Sequence, residues 1–350
     1  CLLSRGLGDV YKRQVNEVPV TPLLEAKNIK KYFKLKDGRE LHAVDNVSFS
    51  VYPGKTLGLV GESGCGKSTV GNVIMRLLEP TAGELLFRGK DVFLLNKKDK
   101  KENFELRRNM QMIFQDPYSS LNPKKTVRQI LSEPYMINRE TFEGDIEQKV
   151  LELCEMVALP RNLLDHYPHE LDGGMRQVVG IARALSLSPD FIVCDEPVSS
   201  LDVSVQARIV NLLIDIQKQQ NIAYLFISHD LSVVRHISND IAVMYLGQIV
   251  ELANADEMFN QPMHPYSIAL LSAVPRIGQK MDRIILQGDV PSPIDPKPGC
   301  RFAPRCWMAK ENCLNGETPE LCEVSPGHFV ACPYAKEAVD KWMEISNNSF

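Results

Sequence analysis

The chain has 350 residues, with 40 Lys plus Arg against 44 Asp plus Glu and a formal net charge of −4. Its hydrophobic share of 44% and charged share of 24% are ordinary for a globular protein, which excludes collagen-like, mucin-like and wholly disordered chains. No apolar run approaches the roughly 18 residues a spanning helix needs, and a net charge of −4 gives no general electrostatic reason to bind nucleic acid.

The opening CLLSRGLGDVYKRQ has no apolar core long enough for a secretory signal. It fits poorly with the rest of the chain and resembles translated adapter read-through. Residues 1–21 are therefore set aside as an artefactual or disordered leader. Residues 23–60 hold the short apolar stretches LLEAKNIKKYF, LHAVDNVSFSVY and TLGLVG, punctuated by Gly38 and Pro53-Gly54. That pattern predicts strands joined by turns. A Gly-rich stretch at 61–67 leads into the helical pattern STVGNVIMRLL. MQMIFQ (110–115) reads as a buried strand and PYSSLNP (117–123) as a loop. Helical periodicity covers 126–137, 143–158, 177–185 and the amphipathic stretch 203–220. FIVCDE (191–196) and AYLFIS (223–228) are apolar strands, and 240–253 reads as a hairpin around Leu246-Gly247.

Buried strands alternating with helices predict an α/β fold with a mainly parallel sheet. The strands are interrupted by a mostly helical stretch at about 105–190, expected to be a subdomain. From about residue 278 the composition shifts to proline and cysteine. Residues 278–335 are expected to form a separate small module that needs a staple to hold together, with 336–350 as a tail.

Gly61-Glu62-Ser63-Gly64-Cys65-Gly66-Lys67-Ser68 matches G-x-x-x-x-G-K-[ST] between a predicted strand and a predicted helix, the context that motif requires. Glycines let backbone N–H groups approach phosphate, and the helix N-terminus adds partial positive charge. Lys67 would bridge the β- and γ-phosphates, with Thr69 just beyond the motif. Ser68 would ligate Mg²⁺. In FIVCDE a buried strand ends in two carboxylates. Asp195 can hold Mg²⁺ and Glu196 can polarise the attacking water.

With these motifs in order, the chain resembles the ATP-binding subunits of ABC transporters over about residues 22–335, with the cassette at 22–277. The resemblance implies a P-loop core sheet, an antiparallel β subdomain and a helical subdomain. It also implies roles. Gln115 in IFQDP matches the Q-loop, which senses Mg²⁺ and contacts the membrane subunits. Ser200-Leu201-Asp202 matches the D-loop. His229 in FISHDL matches the switch histidine at the γ-phosphate. Phe33 aligns best with the aromatic residue that stacks on adenine, and Tyr32 is the neighbouring alternative. Leu171-Asp172-Gly173-Gly174-Met175 stands where the signature LSGGQ is expected, and Val178 where the family usually has Arg.

In the family, two such subunits meet head-to-tail, and each signature caps the other's γ-phosphate. Like unit charges at ~4 Å and an effective dielectric of ~20 repel by about 4 kcal/mol. Asp172 thus suggests an asymmetric heterodimer with one weak hydrolysis site. The competing reading is that Asp172 caps the following helix, as Asp does well, and hydrolysis survives at both sites.

Five of the nine cysteines fall within 300–332. The segment GCRFAPRC…C…PGHFVAC, with PYSSLNP and HPYSIALLSAVP, resembles the oligopeptide and dipeptide (or nickel) importer branch. The N-terminal LLEAKNIKKYF and IARAL lean towards the second of its two ATP-binding subunits. That likeness implies a [4Fe-4S] cluster on Cys300, Cys306, Cys313 and Cys332, with Cys322 spare. Zinc or an empty reduced tail are the alternatives. It further implies ATP and Mg²⁺ as cofactors and a position at the cytoplasmic face of the membrane. The implied partners are a companion ATP-binding subunit, two membrane-spanning permease subunits and an extracellular peptide-binding protein, with no nucleic acid. A soluble ATPase of translation or DNA repair usually carries two cassettes or a long coiled coil, and neither is visible here. A regulator that binds nucleotide without hydrolysis is the third reading, kept open by the altered signature.

Overall fold

The computed structural model describes residues 21–95, 99–138, 144–274 and 283–347. The leader at 1–14 lies outside them. Strands β1 (Leu24–Lys34) and β2 (Glu40–Val51) form an antiparallel pair, and β3 (Thr56–Val60) comes next, buried throughout. Helix α1 (Lys67–Ile74) leads to β4 (Ala82–Phe87) and the short β5 (Lys90–Asp91). Next come α2 (Lys100–Asn109) and β6 (Met110–Ile113), then α3 (Pro117–Ser120), α4 (Val127–Ile137), α5 (Ile146–Met156) and α6 (Gly173–Leu185). Strand β7 (Phe191–Asp195), α7 (Val203–Gln220), β8 (Ala223–Ser228) and α8 (Leu231–Ile237) repeat the strand–helix alternation. The hairpin β9 (Asp240–Tyr245) and β10 (Gln248–Asn254) leads into α9 (Ala255–Asn260) and α10 (Pro265–Ser272). The chain closes with α11 (Glu311–Asn315), β11 (Cys322–Ser325), β12 (His328–Val330) and α12 (Ala335–Asn347).

Two sheets result. One is antiparallel, in the order β2-β1-β4-β5. The other runs β11-β12-β10-β9-β3-β8-β7-β6, and its β9-β3-β8-β7-β6 portion is parallel. Alternation along its central strands decides which core each side chain enters. Phe191, Val193, Leu225 and Ile227 face a core shared with α1 and the antiparallel sheet. Ile192, Cys194, Tyr224 and Phe226 face the opposite core, with α4, α5, α6 and α7. Both faces are therefore apolar, and the strands read as continuous hydrophobic runs.

Local sequence accounts for several boundaries. Thr126 and Gln129 form a reciprocal capping box at α4. The turn between β9 and β10 has two residues, Leu246 at φ 41° and Gly247 at φ 84°, the left-handed pair that a tight hairpin requires. Three expectations need correction. PYSSLNP is not all loop: Asp116 accepts from the Tyr118 amide and starts the one-turn α3, with Pro117 at its first position. The helical stretch is not purely a subdomain, because β6 within it is the edge strand of the main sheet.

The third correction concerns the cysteine-rich segment, which does not stand alone. β12 pairs with β10 and so extends the main sheet. His328 contacts the fully buried Glu251 at 2.7 Å, and Glu251 also accepts from the Met263 and His264 amides. Residues 293–295 bond to β2: the His42 amide donates to the Pro293 carbonyl at 3.0 Å and the Asp295 amide to the Glu40 carbonyl at 2.9 Å. The expected tail docks over its described part, which ends at residue 347. Ala338, Trp342 and Ile345 of α12 enter the core, and Trp342 Nε1 donates to the Asn260 carbonyl at 2.8 Å. Among the described residues no helix is long and apolar enough to cross a membrane.

Candidate functional site

The buried β3 ends at Gly61, and the chain then loops into α1. A Cβ on Gly61 would stand 2.2 Å from the Met244 carbonyl oxygen. Gly66 adopts φ 109°, and a Cβ there would stand 2.1 Å from the Ala43 carbonyl oxygen. Glycine is thus demanded at both positions by contact, and at Gly66 by conformation too. Ser63 and Gly64 are exposed on the loop, and Thr69 is half-buried one turn on. Cys65 is buried, and burial pushes its thiol up. Its side chain packs in the core beneath the loop, while its carbonyl accepts from the Gly247 amide at 2.8 Å.

Lys67 is 4% exposed and folds back on the loop, donating to the carbonyls of Gly61 at 2.9 Å and Glu62 at 3.0 Å. The ammonium is thereby held by two loop carbonyls. Ser68 Oγ donates to Asp195 Oδ1 at 2.8 Å. Burial raises the Asp195 carboxyl, with the Ser68 hydroxyl bond opposing it and the neighbouring Glu196 carboxylate adding to it. A buried carboxylate with a raised pKa invites a cation. Mg²⁺ is typically held by one or two carboxylates plus phosphate oxygens and water. The Ser68–Asp195 pair fits that donor set without a larger protein cage.

Glu196 follows β7 at φ 44°, a positive value uncommon for a non-glycine residue. Its amide donates to the Ile227 carbonyl at 3.0 Å, which fixes the turn. Gln115 Nε2, in the loop after β6, donates to Glu196 Oε2 at 3.1 Å. His229 Nδ1, after β8, lies 3.4 Å from the same oxygen. The structure therefore joins Gln115, Glu196 and His229, and separately Ser68 and Asp195, at adjacent strand ends. This is the C-terminal edge of the parallel sheet, where open α/β sheets place their ligands.

Tyr32 and Phe33 are consecutive on β1 and so face opposite sides. The Tyr32 hydroxyl donates to Asp45, and its ring stacks on His42 at 3.8 Å. Burial and the Asp45 carboxylate push its phenol well above the usual range. Phe33 has no such commitment, and the Lys31 ammonium sits over its ring at 4.9 Å.

Asp172 is the N-cap of α6 and accepts from the Met175 amide at 2.7 Å. Asp202 caps α7, accepting from the Ser204 and Val205 amides at 3.1 Å each. Gly173 and Gly174 face Leu201 and Val205, whose side chains would meet a Cβ at 3.3 and 2.8 Å. Residues 173–174 and 201–205 thus pack on each other within one chain.

Sequence reasoning missed two arginines of the cysteine segment. Arg305 forms a two-pronged ion pair with Glu62 of the glycine-rich loop, at 2.9 and 3.2 Å. Arg301 bonds Asp45 and the Leu246 carbonyl. The spacing R-F-A-P-R between two cysteines was visible, but nothing in it names partners 55 to 256 positions away.

Cys300, Cys306, Cys313 and Cys332 line one cavity of about 20 Å³ beside His264 and Phe302, while Cys322 is exposed on β11. Burial raises the Cys300 thiol, and pushes Cys306 to about 11 and Cys332 to about 12. Among the described residues no group of three or more His, Cys, Asp or Glu is placed to hold a metal ion. The four assigned thiols converge, but the expected four-iron cage is not preformed.

A family model described as "ABC transporter" matches residues 44–199, and one described as "Oligopeptide/dipeptide transporter, C-terminal region" matches 250–313. The chain is 49% identical over 320 residues to the oligopeptide transport ATP-binding protein AppF of Bacillus subtilis, covering 89% of this chain and 96% of the relative. It is 47% identical over 319 residues to the dipeptide transport ATP-binding protein DppF of Haemophilus influenzae, with the same coverages of 89% and 96%. A solved dimeric structure of a bacterial ABC transporter cassette superposes with a TM-score of 0.59 at 27% identity, over 66% of this chain and 98% of that one. CbiO1 of Clostridium perfringens, part of an ABC transporter complex, gives 0.59 at 25% identity, over 68% and 91%.

Proposed function

Because this chain belongs to the ATP-binding subunits of oligopeptide/dipeptide ABC transporters, we propose that it hydrolyses MgATP at the 61–69 loop to energise peptide import. Its partners are the membrane-spanning permease subunits. The relatives are named for peptides and dipeptides, which favours peptide over nickel as the solute.

Each residue has a task set by its position. Lys67 moves from the Gly61 and Glu62 carbonyls to the β- and γ-phosphates. Ser68 and Asp195 would hold Mg²⁺ through its water shell. The ion would supply positive charge against the negative charge that develops on the phosphates. Glu196 orients the attacking water and accepts its proton as the new P–O bond forms and the bond to the leaving diphosphate breaks. Gln115 and His229 hold the Glu196 carboxylate and would be free to turn towards the γ-phosphate when it arrives. Phe33 stacks on adenine, since Tyr32 is spent on Asp45.

The head-to-tail partner is a companion ATP-binding subunit in a heterodimer, and an extracellular binding protein delivers peptide. The dimer forms at the cytoplasmic face of the membrane. Asp172 serves as the cap of α6, and Gly173, Gly174 and Asp202 line the face offered to the partner's nucleotide. The observation favouring this over a crippled signature is the 2.7 Å bond from the Met175 amide, which the carboxylate satisfies as a serine would. Cys300, Cys306, Cys313 and Cys332 would be the thiolate ligands of a [4Fe-4S] cluster, a reading that rests on their shared cavity and not on a preformed cage. Iron and sulfide quantification of anaerobically purified chain tests this, and zinc or no metal at those sites contradicts it.

The observation that carries the function is the convergence of Gln115 and His229 on Glu196 beside the Ser68–Asp195 pair. Glu196→Gln in the assembled transporter tests it. Hydrolysis is expected to fall by at least about a hundredfold, within the range for a lost general base, with ATP binding retained. Undiminished turnover would contradict the assignment.

A further inference from the structure

Glu62 carries a negative charge into a loop built to accept a polyanion. Three of its groups are held. Its amide donates to the Tyr266 hydroxyl at 2.9 Å, its carbonyl accepts from Lys67, and its carboxylate takes both prongs of Arg305. The Arg305 side chain is 9% exposed and that of Glu62 31%. Such a fork fixes geometry as well as charge. Tyr266 is itself fully buried and packs on Tyr245 and Phe302, with ring centroids at 4.7 and 5.4 Å. Phe302 lies between Arg301 and Arg305, so the ring that supports Tyr266 belongs to the segment that supplies the fork. On the other side, Arg301 ties Asp45 and the 246–247 turn, whose Gly247 amide bonds Cys65.

We propose that Arg305, reaching from the cysteine-rich segment, is a positioning residue of the nucleotide site: it cancels the Glu62 charge and sets the phosphate loop for ATP. The inference rests on residues 61–69 being the phosphate cradle. Without Arg305, a half-buried carboxylate faces the incoming triphosphate unpaired, and like charges in a partly desolvated site repel strongly. With Glu62 neutral as well, the repulsion is gone. An arginine that merely glues two segments together leaves no reason for such a rescue.

The test is a calorimetric titration of the full chain with MgADP. Arg305→Ala is expected to weaken binding roughly tenfold, the size of one charge-assisted hydrogen bond. Adding Glu62→Gln to Arg305→Ala is expected to restore affinity to within about twofold of the native chain, on the same charge argument. In the assembled transporter the single variant raises KM for ATP more than it lowers kcat. If Arg305→Ala does not fold, Arg305→Met keeps the stem packing and makes the same prediction. Native affinity in the single variant, or no rescue in the double one, overturns the inference. Lys67→Ala separates the two levels: native MgADP affinity there removes the cradle itself, whereas loss there with native affinity in Arg305→Ala removes only the role of Arg305.

Discussion

Ser68 and Asp195 are 127 positions apart in sequence, yet they share a hydrogen bond of 2.8 Å. One lies in the first turn of α1 and the other closes β7, and the parallel sheet brings the two together. Asp195→Asn removes the charge and keeps the shape. We expect Mg²⁺-dependent nucleotide binding to be lost in that variant while metal-free binding changes little. Folding should tolerate it, because burial holds the carboxyl above its ordinary pKa and a neutral amide relieves that strain. Titration with and without Mg²⁺ checks this.

Asp172 should be exchangeable with another capping residue. Asp172→Ser is expected to leave both thermal stability and ATPase rate within about twofold of native. Asp172→Ala should cost roughly 1 kcal/mol of stability. A rise of more than about fivefold in ATPase rate for Asp172→Ser, read against the ~4 kcal/mol scale of a like-charge clash, would favour the asymmetric-site reading instead.

Trp342 tests whether the C-terminal helix is part of the core. The side chain is 1% exposed. Trp342→Ala should destabilise the protein by about 3–5 kcal/mol, seen as a lower urea midpoint. An unchanged midpoint would mean that α12 does not dock.

His264 gives the protein a pH-dependent weakness. It caps α10 by accepting from the Tyr266 amide at 3.1 Å through Nδ1, which only the unprotonated nitrogen can do. Burial lowers its pKa to about 4, against some opposing pull from the Glu251 carboxylate. Between the ordinary histidine value near 6.5 and about 4, the unfolded chain binds the proton and the folded one does not. Stability is therefore intact above about pH 6.5 and falls as pH drops, by up to about 1.4 kcal/mol per unit. His264→Asn keeps a cap and should flatten that slope in urea unfolding at pH 7 and pH 5. An equal slope in both proteins would contradict the assignment.

The sequence-based reading and the structure agree where signals are local. The amphipathic run at 203–220 coincides with α7, and AYLFIS with β8. The glycine loop and the acidic strand end were legible because each motif sits between elements with clear periodicity. Short elements escaped. AGELLF at β4 alternates Leu85 and Phe87 inward before an Arg88-Gly89 turn, a two-residue period that could have been read. What sequence could not supply was distance. The His328–Glu251 contact, the β12–β10 pairing and the Arg305–Glu62 fork join segments 77 to 243 positions apart. None leaves a local period, so the cysteine-rich segment read as a separate module when it is laced to the sheet and to the glycine-rich loop.

Titration of the full-length Lys67→Ala chain with MgATP, set beside the native chain, probes the phosphate cradle itself. We predict a loss of affinity of at least about tenfold, the equivalent of one strong charge-assisted contact to phosphate. Affinity equal to that of the native chain would contradict the assignment of residues 61–69 as the nucleotide cradle.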